Sequence, residues 1–232
     1  IGRRLTKPKF HQSLVKKMFI HLQNTGKRFN REWIFRNLTY SFEAGETYAL
    51  CGPNGCGKST LLQLIAGAIV PNEGHVLFSE TKEPASTVSP AFQLNSDIFS
   101  KIAFAGPYLE LVEEMTATEF LSFHSVFKPI TSTYAIPEIL DRIGLGNTGK
   151  KQIRFFSSGM KQRLKLAQGF FSDVPVLLLD EPCTNLDEAG YTLYYSLVKE
   201  FSANKILIIG SNDIKEFSFC KNIIQVMDYK NK

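Results

Sequence analysis

Apolar and polar positions alternate along this chain in blocks that change period. Residues 18–24 and 47–51 are short apolar stretches with strand character, separated by a turn-rich stretch. A helix-like run follows from Ser59 to Ala66, with Gly67 where a C-terminal cap would stand and Pro71 shortly beyond. Residues 76–104 mix short apolar pieces with loop residues and predict no definite element. From Thr116 to Leu145 the pattern is helical. Met160, Leu164, Ala167 and Phe171 recur at i, i+4, i+7 and i+11, one face of an amphipathic helix. The runs Val174–Leu179 and Ile206–Ile209 read as fully buried strands of a parallel sheet, with a helix over Ala189–Phe201 between them. Strands alternating with helices predict an α/β core.

Composition narrows the class. The chain has 232 residues, 44% hydrophobic and 21% charged, which excludes a disordered or low-complexity protein. No apolar run approaches the roughly 18 residues that a membrane span requires. The net charge of +5 is misleading as a nucleic-acid signal. The first 17 residues carry six bases and no acid, leaving 21 bases against 22 acids in residues 18–232. Residues 1–17 are therefore expected to be a flexible basic extension, without the apolar core of a secretory signal. Four cysteines and four histidines have no metal-type spacing, and the cysteines suit a reducing compartment.

The chemistry begins at Gly52, Pro53, Asn54, Gly55, Cys56, Gly57, Lys58, Ser59 and Thr60, a full match to G-x-x-x-x-G-K-[ST] between a strand and a helix. Glycines let backbone N–H groups curl around phosphate oxygens, and the helix N-terminus adds partial positive charge. Lys58 is placed to reach the β- and γ-phosphates, and the Ser59 hydroxyl to ligate Mg²⁺. Further on, Val176 to Leu179 lead into Asp180 and Glu181. An apolar strand ending in two acids beside a phosphate loop can hold Mg²⁺ through Asp180 while Glu181 polarises water. Together the two motifs predict a nucleotide hydrolase using ATP and Mg²⁺.

Between them stands Phe156, Ser157, Ser158, Gly159, Met160, Lys161, Gln162, Arg163. Here the sequence resembles the ATP-binding subunits of ABC transporters, whose signature reads Leu-Ser-Gly-Gly-Gln-x-Gln-Arg. Ser157, Gly159, Gln162 and Arg163 match; Phe156, Ser158 and Met160 differ. The resemblance implies that Ser157, Ser158 and Gly159 meet the γ-phosphate of ATP held by a second subunit. It also implies that Thr184 to Asp187 form a loop at the dimer interface. Phe29 stands where the family stacks an aromatic ring on adenine; a core aromatic is the competing reading.

Two family residues are missing. The family has a histidine after the late strand where this chain has Asn212. Asn212 is open between a γ-phosphate ligand and a cap for a helix starting near Ile214. The family also has a glutamine about nine residues before Thr116; that count reaches Pro107, with Tyr108 and Glu110 the nearest polar residues and Gln93 too far upstream.

The expectation is an α/β fold: a P-loop NTPase of ABC type, mostly parallel, with an N-terminal antiparallel β portion. Residues 18–232 form that domain, with a helical subdomain at about 108–172. No regulatory domain is expected after Val226. The resemblance implies an ATPase subunit that pairs head to tail with a second copy. It would drive a separate membrane-spanning subunit from the inner, cytoplasmic face of the membrane, with no nucleic-acid partner. Met160 and Arg163 resemble exporter-type members, including the haem-exporter-like branch. A soluble ABC ATPase on ribosomes or DNA, or a degenerate ATP-binding regulatory subunit, are the alternatives.

Overall fold

The fold is seen in a computed structural model that describes residues 18–80, 82 and 98–230. The basic extension and Gln93 lie outside the described residues.

In chain order the elements are β1 (Phe19–Phe29), β2 (Glu32–Glu43), β3 (Thr47–Cys51), α1 (Lys58–Ile65), β4 (Glu73–Ser79), α2 (Ile98–Lys101) and β5 (Ile102–Ala105). Then come α3 (Ala117–Phe127), α4 (Ile136–Arg142), α5 (Ser158–Phe170), β6 (Val176–Asp180), α6 (Glu188–Phe201), β7 (Ile206–Gly210), α7 (Ile214–Phe217) and β8 (Asn222–Gln225). β2, β1 and β4 form an antiparallel sheet, and a second sheet runs β5-β6-β7-β3-β8 with every strand parallel to its neighbours.

The stretch between residues 24 and 47 departs from the expectation of turns. It is mostly β2, a 12-residue strand. Its alternation is broken where Asn37 adopts φ 54° and the register slips: Leu38 pairs with Thr25, and Phe35 with Lys27. Such a bulge lets Phe35 and Leu38, three apart, both face the core, so the period of two is lost. The helical run from Thr116 to Leu145 holds two helices. Thr116 opens α3 with a reciprocal capping box to Glu119, and α3 gives way at Lys128 before Pro129, which has no N–H to donate.

The inner parallel strands β3, β6 and β7 are buried on both faces, and alternate residues serve different cores. Leu177 and Leu179 of β6, with Leu207 and Ile209 of β7, pack with α3 to α6. Val176, Leu178, Ile206 and Ile208 pack on the other side with α1 and the antiparallel sheet. Four cysteines are buried and free within these cores. No helix among the described residues is long and apolar enough to cross a membrane.

The functional consequence is geometric. The parallel register pairs Leu50 and Asp180 with Gly210, and Leu179 with Ala105. The carboxyl ends of β3, β5, β6 and β7 therefore open on one edge, where ligands bind in sheets of this kind.

Candidate nucleotide site

The phosphate loop leaves β3 at Cys51 and turns into α1. Gly52 (φ 142°) and Gly57 (φ 111°) adopt backbone conformations that an L side chain resists. A Cβ on Gly52 would also stand 2.7 Å from Cys56 Sγ. Gly57 occupies the N-cap of α1 without any side-chain cap. The first N–H groups of α1 thus have no side-chain acceptor and can take a phosphate oxygen instead. Lys58 is buried, and its ammonium donates to the Gly52 and Pro53 carbonyls at 2.8 and 3.2 Å. It folds over the loop, where an anion would sit. Pro53, Asn54 and Gly55 are exposed, and Ser59 and Thr60 are half-buried.

Asp180 is buried beside Ser59, whose hydroxyl bonds its carboxylate. Burial pushes its pKa up, and the Glu181 charge adds to that; the Ser59 bond and Lys58 pull against it. Asp180 Oδ1 has no hydrogen-bond partner among the described residues. Gly210 leaves room at that oxygen, since a Cβ there would stand 3.1 Å away. An open, buried carboxylate oxygen next to a serine hydroxyl is a donor set suited to a hard divalent cation, and Mg²⁺ fits it.

Glu181 is half-exposed at φ 44°, a left-handed conformation unusual for a residue with a side chain. It is imposed from outside: Glu181 N–H donates to the Gly210 carbonyl at 2.9 Å, and Thr184 N–H donates back to the Glu181 carbonyl at 3.2 Å. Strain of this kind, worth about 1–3 kcal/mol, clusters at functional sites.

Asn212 is exposed, and its amide donates to Asn54 Oδ1, in the phosphate loop, at 3.2 Å. It does not cap α7. That cap is Asp213, which accepts from Lys215 N–H at 3.0 Å and from the Tyr191 hydroxyl at 3.0 Å. Phe29 is not a core residue: it ends β1 48% exposed, with Lys27 Nζ 5.2 Å from its ring centre. A cation over an exposed ring leaves its other face free for stacking.

Ser157 and Ser158 are exposed at the start of α5, where Ser157 Oγ accepts from Met160 N–H at 3.2 Å. Gly159 lies against the Asn185 carbonyl, where a Cβ would be 3.0 Å away. Arg163 bonds Asp187 Oδ1 at 2.8 Å, and the same oxygen accepts from Gly190 N–H as the cap of α6. The loop after the carboxylates is thereby tied to α5.

At Pro107, where the family has a glutamine, a lysine from elsewhere acts on the backbone. Lys165 Nζ donates to the Gly106 and Pro107 carbonyls at 3.2 and 2.9 Å, and Tyr108 and Glu110 point to solvent. Lys165 lies 58 residues from Pro107, so no local pattern announces the pair.

A profile of the ABC transporter family matches residues 35–184. The chain is 33% identical over 199 residues to an uncharacterized ABC transporter ATP-binding protein, YybJ, of Bacillus subtilis, covering 85% of this chain and 86% of that protein. It is 28% identical over 200 residues to the lantibiotic transport ATP-binding protein SrtF of Streptococcus pyogenes, covering 84% and 80%. Its fold resembles the dimeric structure of MJ0796, a bacterial ABC transporter cassette, with a TM-score of 0.74 at 22% identity over 89% of this chain and 93% of the other. With phosphate loop, signature segment and carboxylate pair in that order on an ABC-type P-loop fold, the chain belongs to the ATP-binding proteins of the ABC transporter family.

Proposed function

We propose that this chain binds and hydrolyses ATP, and that two copies close head to tail around two nucleotides to drive a separate membrane-spanning subunit. The observation that carries this reading is the separation of two half-sites. Residues 52–60 form a phosphate cradle in a site shared with Asp180, Glu181 and Asn212. Ser157 and Ser158 are exposed at another helix N-terminus. The cradle suits the phosphates of its own nucleotide, and the exposed serines suit the γ-phosphate of ATP held in the other copy's cradle.

The roles follow from the chemistry. The loop N–H groups and Lys58 would bind the β- and γ-phosphates, and Phe29 would stack on adenine. Ser59 and Asp180 would hold Mg²⁺, which when bound supplies positive charge to the phosphate oxygens. Glu181 would accept the proton of the attacking water as its oxygen bonds the γ-phosphorus; the bond to the ADP oxygen breaks, giving ADP and inorganic phosphate. Asn212 would donate to the γ-phosphate and, being neutral, stabilise it less than a charged histidine would. As in the ABC family that the chain belongs to, work on a membrane partner would be done from its cytoplasmic face. Met160 and Arg163 resemble exporter-type members, but no residue here singles out that type or its haem-exporter-like branch.

Glu181→Gln keeps shape and hydrogen bonding but removes the base. Turnover should fall by about 10²-fold or more, and with MgATP the protein should scatter light at twice the monomer mass. A persistent monomer at saturating ATP would refute the two-copy closure.

A further inference from the structure

Behind the carboxylate pair, two side chains grip the turn at Pro182 and Cys183. Gln162 Nε2, from α5, donates to the Pro182 carbonyl at 2.7 Å. Glu216 Oε1, from α7, accepts from Cys183 N–H at 2.8 Å. Both side chains are only 4% exposed, so each bond forms away from water.

Glu216 is an expensive choice for that place. A buried carboxylate loses its hydration, and Oε2 has no hydrogen-bond partner among the described residues. α7 does not depend on the carboxylate to stay on the core: Phe217 is buried, and the Tyr194 hydroxyl donates to the Glu216 backbone carbonyl at 2.7 Å. An apolar side chain of similar volume would pack there at lower cost. What it could not do is hold the Cys183 N–H, or the Ser211 hydroxyl that also bonds this carboxylate.

That N–H belongs to the turn immediately after Glu181, whose φ of 44° must be maintained by its flanks. On one flank the Glu181 N–H is held by Gly210. On the other, the one peptide group joining Pro182 to Cys183 is held at its carbonyl by Gln162 and at its N–H by Glu216. We propose that Glu216 is a positioning residue: it fixes the Cys183 N–H and, with Gln162, locks the turn that aims the Glu181 side chain into the nucleotide site. Glu216 also stands four residues after Asn212 on one continuous segment. The same bond therefore ties the segment that touches the phosphate loop to the segment that carries the base.

The inference rests on Glu181 as the group that takes the proton from water, and its test separates the two. Wild type and Glu181→Gln assay that reading alone. Glu216→Leu, Glu216→Gln and Gln162→Met assay the clamp, by steady-state hydrolysis, titration with a fluorescent ATP analogue and amide hydrogen exchange. Glu216→Leu should lower kcat by about tenfold or more with KM and analogue affinity within about twofold of wild type. Amides of residues 183–186 should exchange faster. Glu216→Gln keeps an acceptor oxygen and should retain kcat within about threefold and wild-type exchange. A normal kcat with normal exchange in Glu216→Leu overturns the proposal, as does equal loss in the Gln and Leu variants. If Glu216→Leu does not fold, Gln162→Met must show the same selective loss of kcat, and an unchanged kcat there overturns the clamp. If wild type proves not to hydrolyse ATP, the reading of Glu181 has failed, and unchanged exchange at Cys183 in Glu216→Leu would still overturn the clamp.

Discussion

Two helices of this protein begin at small residues, and they begin differently. α1 starts from Gly57 with no side-chain cap, behind a loop bent by positive-φ glycines. α5 starts from Ser157, whose hydroxyl already accepts the Met160 N–H. The first leaves its N-terminal donors open and places a buried lysine above them. The second already has its Met160 N–H taken by its own cap, while its serine can still donate its hydroxyl hydrogen. The difference teaches which half-site is self-sufficient. The phosphate loop can hold an anion by itself; the signature segment is stable without one and adds only a few donors when one is brought to it.

The sharpest way to break this comparison is to remove one element from each side. Lys58→Ala should lower MgATP affinity by at least about tenfold, roughly 1.4 kcal/mol. Ser157→Ala, measured on monomer at low protein concentration, should leave that affinity unchanged. Titration with a fluorescent ATP analogue reads both. Equal losses in the two variants would mean that the half-sites are not separate.

A smaller effect is expected at Asn212. Its tie to Asn54 puts it beside the loop, and a histidine there could carry charge. Asn212→His should raise kcat several-fold, of the order that a charge-assisted bond adds over a neutral one, with little change in KM. A flat kcat would remove Asn212 from the γ-phosphate.

Asp180 offers a test without nucleotide. Its pKa is raised by burial, so the unliganded native state binds that proton more tightly than the unfolded chain. Stability from this group is full below the ordinary carboxylate range and is lost as pH rises through the raised value. Asp180→Asn carries no charge and escapes the loss. Its Tm without Mg²⁺ should exceed wild type at neutral pH by an amount that vanishes in acid. A lower Tm at neutral pH would show that the carboxylate is paid for within the fold.

The smallest effect concerns the cap itself. Ser157→Ala should cost about 1 kcal/mol of stability and Ser157→Gly only a few tenths, read as Tm in the absence of nucleotide. Equal Tm values for wild type and Ala would mean that the Met160 N–H has another acceptor, and the contrast with α1 would fail.

What the sequence determined by itself lies close together along the chain. The strand, glycine loop and helix of residues 47–66 are contiguous, so their period and composition announce the phosphate site directly. The apolar run into Asp180 and Glu181 does the same; α5 shows in its apolar spacing, and α6 as the stretch between two buried strands. Tertiary structure decided what depends on distant partners. β2 was hidden because Asn37 breaks its period of two, and only pairing with β1 makes it a strand. The cap of α7 is Asp213 because Asn212 is drawn to Asn54, 158 residues away. The backbone at Pro107 is held by a lysine, and the turn after Glu181 by Gln162 and Glu216, across separations of 58, 20 and 33 residues. A backbone carbonyl or N–H has no letter in the sequence, so a side chain that acts on it shows its purpose only when folding brings the two together.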